Sequence, residues 1–157
     1  MKSHPSSKKL YLGTFSVDTL PTNIKYPSCL IFNNQRSDQP GQHWVAIYFG
    51  ANKKAEFFDS FGGSPKDYGI DGYMKKHALS TVYNKQVLQT KLSVYCGLYC
   101  LLFLICKCKH RSLKYFLNLF DKPKINDNTF FRLINICKRK KLIARVFAFF
   151  IQIILYI

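Results

Sequence analysis

The sequence predicts an α+β domain, and three observations carry that prediction. Short apolar runs broken by Pro and Gly fill the first ninety residues, a long apolar run of helical length spans 95–109, and helical-period segments follow it. The chain has 157 residues, enough to bury one sizeable core. Its 48% hydrophobic and 16% aromatic content suits a packed body and argues against disorder.

The elements follow in order. Residues 1–9 are polar and expected to be loose. "CLIFN" (Cys29–Asn33) lies between Pro27 and the polar "NNQRSDQPGQ", which reads as a buried strand followed by a long turn. "HWVAIYFG" (His43–Gly50) is a second strand, with His43, Val45, Ile47 and Phe49 on one face. "NKK" leads into a third, "AEFFDSFGG" (Ala55–Gly63), and so short a connection predicts an antiparallel hairpin. After Pro65 a helix is expected over Lys66–Leu79, interrupted or capped by Gly69 and Gly72, and then a short strand around Lys85–Gln89. "YCGLYCLLFLICKCK" (Tyr95–Lys109) reads as a central buried helix, because its lysines fall only at the end. Leu113, Phe116, Leu117 and Phe120 recur at helical spacing ahead of Pro123. Asn126–Lys141 opens on Asn/Asp capping residues and continues as a further helix. The sheet is expected to be small, mixed or antiparallel, and packed on the central helix.

Charge bounds the partners. The 24 Lys and Arg face only 8 Asp and Glu, a formal net charge of +16, which either attracts polyanions such as DNA or keeps the chain soluble. The start "MKSHPSSKKLYLG" has no apolar stretch ahead of a cleavage-like site, so an intracellular chain with six free thiols is expected. Residues 137–157 run from the basic "KRKK" (Lys138–Lys141) into an apolar tail, outside a core domain over 10–136. From Val146 the tail is too short to span a bilayer as a helix, though it could anchor at a membrane surface.

Four cysteines crowd "SVYCGLYCLLFLICKCK", and their spacing lacks the C-x-x-C knuckle of a zinc site. Cys100 and Cys106 read as small core hydrophobes. Cys96 begins the helix and precedes Gly97, where the helix dipole favours thiolate and backbone N–H groups face outward. It is either core filler or a nucleophile. A nucleophilic thiol needs a base and an orienting group. Of His4, His43, His77 and His110, only His43 opens an apolar strand, beside the single tryptophan. Asp59 ends the neighbouring strand, so hairpin pairing brings it toward His43 while Glu56 faces away. Asp59 is otherwise a turn residue and Gln89 a solvated polar side chain.

The order "GQHW", "FFDSFG", Gln89, "YCGLYC" resembles the adenovirus-type processing proteases (adenain-like), relatives of the Ulp/SENP-type deSUMOylating enzymes. The seven residues from Gln89 to Cys96 are closer to the viral group, and "YLGTF" and "CLIFN" are similar to its opening. "LKYFLNLF" and "INDNTFFRLI" are similar to versions carried by Polinton/Maverick-type mobile elements. The resemblance spans residues 10 to 106 and implies an adenain/Ulp-like cysteine protease fold. It implies Cys96 as nucleophile, His43 as general base and acid, Asp59 as its orienter and Gln89 as an oxyanion donor.

The resemblance further implies cleavage of polypeptide precursors after small residues, commonly glycine, in viral or element capsid maturation. It implies a monomer acting in the nucleus or virion with no required cofactor, and DNA as a polyanionic activator. The stretch "HALSTVYNKQ" lacks the cysteine that joins an activating peptide in the adenovirus enzyme. The rival readings are a ubiquitin-like isopeptidase and an inactive DNA-binding relic of such a protease.

Overall fold

The computed structural model describes residues 10–91, 93–120 and 135. The expected loose start over 1–9, the tail over 137–157 and, apart from residue 135, the helix over 126–141 lie outside them. The described chain forms five strands: β1 (Tyr11–Ser16), β2 (Ser28–Asn33), β3 (Trp44–Phe49), β4 (Lys54–Phe58) and β5 (Ser80–Tyr83). Three α-helices accompany them: α1 (Asp71–His77), α2 (Cys96–Cys108) and α3 (Leu113–Leu117).

The strands pair in sequence order as one mixed sheet. β1 and β2 are parallel, β2 with β3 and β3 with β4 antiparallel, and β4 with β5 parallel. The pleat divides the core in two. Leu30, Phe32, Val45, Ile47, Phe49, Ala55 and Phe57 face one way, packing with Ile70 and with Met74 of α1. Cys29, Ile31, Ala46 and Phe58 face the other way, under α2 and α3. Both faces are covered, which is why β2 is buried at all six positions and reads as an unbroken apolar run.

α2 is the keystone of its layer. Phe103 stacks on Phe58 at 5.0 Å between centroids and meets Phe116 of α3 at 5.7 Å. Its far end is tied by Lys107, whose Nζ donates to Glu56 Oε1 at 2.7 Å and lies 4.7 Å from the Tyr48 ring centroid. Glu56 thus points to α2, away from the end of the sheet that holds His43.

Several expected elements differ in extent, for identifiable reasons. β4 stops at Phe58, because the Asp59 carboxylate accepts from the N–H groups of Phe61 and Gly63 and closes a loop in place of a strand. His43 lies one residue before β3. The helix expected over 66–79 is split into a 3₁₀ turn at Pro65–Tyr68 and α1, with Gly69 at φ +68° ending the first. No strand forms at Lys85–Gln89; the last strand among the described residues is instead Ser80–Tyr83. The Leu88 and Gln89 N–H groups both donate to the Ser60 carbonyl rather than to a ladder. The helix after Ser112 is short, Leu113–Leu117, and Ser112 caps it by accepting from the Tyr115 N–H at 3.0 Å. β1 is an added strand, its parallel pairing irregular near Gly13.

Candidate active site

The sheet's pairing brings residues distant in sequence to one end of the molecule. β3 and β4 run antiparallel with Ala46 opposite Phe58, so the residues just before β3 and just after β4 meet. His43 Nε2 donates to Asp59 Oδ1 at 2.6 Å, with His43 7% and Asp59 0% exposed. The Asp59 carboxylate is held on every side. Oδ1 also accepts from the Phe61 N–H at 2.9 Å, while Oδ2 accepts from the Gly63 N–H at 2.8 Å and the Tyr68 hydroxyl at 2.7 Å. Asn84 clamps the same residue's backbone, accepting from its N–H at 3.1 Å and donating to its carbonyl. A Cβ at Gly63 would lie 2.7 Å from Asp59 Oδ2, so this close approach requires glycine.

Cys96 arrives from α2, as its first residue. Its sulfur lies close enough to the His43 ring to act on its charge, and the ring's Nε2 is already committed to Asp59. The N–H groups of Trp44 and Gly97 also favour negative charge on the sulfur. Four residues along the same helix face, the Cys100 thiol donates to the Trp44 carbonyl at 3.2 Å. The backbone of Trp44, the residue after His43, thus faces two consecutive turns of α2. Phe61 and Tyr68 flank the imidazole, with ring centroids 4.7 Å and 6.2 Å away.

The electrostatics follow from these contacts. Burial opposes charge on His43, but the hydrogen bonds to Asp59 and Cys96 and their negative charges outweigh it, pushing its pKa up to about 9. Burial likewise opposes the Cys96 thiolate, and the His43 contact with the Trp44 and Gly97 N–H groups overcomes it, so that pKa falls. For Asp59, burial is outweighed by His43, Phe61 and Tyr68, and its pKa falls too. Both shifts favour the charged form of each group, thiolate for Cys96 and imidazolium for His43. Two other thiols shift the opposite way, while that of Cys108 is lowered by its hydrogen bond to Cys29. Burial drives the Cys100 pKa well up, and a hydrogen bond to Cys108 raises that of Cys29. Among the described residues, no three His, Cys, Asp or Glu gather in a way that could hold a metal ion.

Gln89 is 1% exposed, at the edge of this cluster. Its Nε2 donates to the Ser93 carbonyl and its Oε1 accepts from the Ser60 hydroxyl at 2.7 Å. The structure thus brings His43, Asp59 and Cys96 into direct contact and seats Gln89 in the loop leading to α2. Tyr68, Asn84 and Ser60 were not singled out by sequence reasoning. Only Ser60 left a trace, as the residue next to Asp59 in "FFDSFG".

The profile of the adenovirus endoprotease family matches residues 11–145. The protease of Porcine adenovirus A serotype 3 is 32% identical over 111 residues, covering 60% of this chain and 54% of that protein. The protease of Bovine adenovirus 2 is 29% identical over 115 residues, covering 65% of this chain and 52% of its own length. The chain spans about half the length of the curated relatives it matches. A crystal structure of an ASFV protease matches the fold with a TM-score of 0.50 at 23% identity, over 68% of this chain and 43% of that one.

Proposed function

The chain belongs to the adenovirus endoprotease family, and from that premise we propose that it is a cysteine endopeptidase acting through His43, Asp59, Gln89 and Cys96. The observation that carries the reading is the continuous chain of contacts from Asp59 through His43 to Cys96. A buried carboxylate, an imidazole raised to about 9 and a lowered thiol pKa are what a thiolate–imidazolium nucleophile requires.

The mechanism follows from the arrangement. The Cys96 thiolate attacks the scissile carbonyl, and the tetrahedral oxyanion is held by the Cys96 backbone N–H and the Gln89 amide. Protonated His43 gives its proton to the leaving amine, then accepts one from the water that releases the acyl group. Asp59 keeps the ring oriented and supports its positive charge. The substrate class is polypeptide precursors cut after small residues, in capsid maturation of a virus or a Polinton-type element. The net charge of +16 supports DNA as a polyanionic activator.

Cleavage of a glycine-containing precursor peptide tests the reading. Cys96→Ala should abolish turnover, while Cys100→Ala should keep most of it; equal loss in both would refute the assignment. A panel of ubiquitin-like conjugates distinguishes an isopeptidase.

A further inference from the structure

Ser60 is fully buried between the two parts of the site. It follows Asp59 directly, and its carbonyl accepts from the N–H groups of Leu88 at 2.9 Å and Gln89 at 3.1 Å. Its hydroxyl donates to Gln89 Oε1 at 2.7 Å. One residue therefore fixes both the backbone and the side chain of Gln89.

The direction of the Gln89 amide follows from its neighbours. A primary amide fits its site in two orientations of nearly equal shape, distinguished only by hydrogen bonding. The Ser93 carbonyl can only accept, so the end that faces it must be the NH₂. The opposite end is then Oε1, buried with the rest of the side chain, and it needs a donor. Ser60 supplies that donor. Without it, Oε1 is unpaired, and turning the amide over would set oxygen against the Ser93 carbonyl. Held in the observed sense, Nε2 spends one N–H on Ser93, and among the described residues its second meets no acceptor.

We infer that Ser60 is a positioning residue which orients the Gln89 amide for acyl transfer, a role that rests on the reading of Gln89 as an oxyanion donor. The dipeptide Asp59–Ser60 then sets both halves of the chemistry: Asp59 the imidazole and Ser60 the amide. The loop that carries them is kept in place by Asn84 and by Gly62, whose φ is +77°.

Steady-state kinetics of the full chain on a glycine-containing peptide, with the rate of Cys96 alkylation by iodoacetamide, test the inference. Ser60→Ala should lower kcat about tenfold with KM within about twofold, because the lost contact acts in the transition state. Alkylation, which needs the thiolate but no oxyanion donor, should be unchanged. Gln89→Ala should lower kcat further, and the double variant should be no slower than Gln89→Ala alone. Ser60→Cys, similar in volume with a weak donor, should fall between wild type and Ser60→Ala and serves the same cycle if the alanine variant does not fold. The inference is overturned if Ser60→Ala leaves kcat intact while Gln89→Ala lowers it, if the two losses multiply, or if alkylation slows alongside kcat. If Cys96→Ala or Gln89→Ala leaves cleavage intact, the parent reading fails first and the role of Ser60 falls with it.

Discussion

His43 and Cys96 are each buried against their charged forms, yet each ends up favouring charge, His43 through Asp59 and then Cys96, and Cys96 through His43 and the Trp44 and Gly97 N–H groups. The consequence is a specific pH dependence. Hydrolysis needs both the thiolate and the protonated ring, so kcat should fall as pH rises through about 9, where His43 loses its proton. Iodoacetamide alkylation needs only the thiolate and should not fall there, so parallel pH profiles of the two rates check the assignment. Stability follows the same groups. The His43 contribution is complete below the ordinary histidine pKa of 6.5 and is lost as pH rises through about 9. The Asp59 contribution is complete above 3.8 and is lost at lower pH, as that carboxylate takes up a proton. Denaturant midpoints across pH should therefore show a plateau between these limits. Gly63→Ala belongs to this scale as well. Its methyl would press within 2.7 Å of Asp59 Oδ2, so kcat should drop about tenfold or more while the fold persists, as circular dichroism and kinetics would show.

α2 joins the site to the core. Its first residue is the thiol, its second turn holds the Trp44 carbonyl, and its last turn pairs Lys107 with Glu56. Phe103→Ala would remove a fully buried ring stacked on Phe58, next to Asp59, and should cost about 3–5 kcal/mol in urea unfolding. Lys107→Ala would strand the Glu56 carboxylate against the sheet and cost about 2 kcal/mol, discounted because that carboxylate is partly exposed. This helix was legible in the sequence, because ten near-consecutive apolar residues with lysines only at the end admit few other readings. The β3–β4 hairpin was legible through its alternation and short turn, and with it the approach of Asp59 to His43. The end of β4 and the segment over Lys85–Gln89 were not. At the end of β4 the Asp59 carboxylate closes a local turn that competes with the strand pattern, and elsewhere the backbone groups are met by Asn84 and Ser60, tertiary partners that leave no period in the sequence. Tyr68 was hidden for the same reason. It reaches Asp59 only because Gly69 ends a 3₁₀ turn that the pattern reads as one longer helix.

At the scale of the molecule, the sheet is covered on both faces and its strand ends carry the candidate site, which sits at the rim of a packed core. The charge of +16 is a property of the whole chain, and it predicts DNA binding that weakens steeply as salt rises. Fluorescence anisotropy with a labelled duplex checks it, and salt-independent or absent binding would count against DNA as activator. The central proposal is that Cys96 is a nucleophile activated by His43, and the proximity of the two side chains supports it. Labelling of the full chain with a vinyl-type glycine probe, followed by peptide mass mapping, tests it most directly. The predicted result is a single adduct on Cys96, formed near neutral pH and lost in His43→Ala; an adduct on Cys106 or Cys108 instead, or one that forms equally fast without His43, would contradict it.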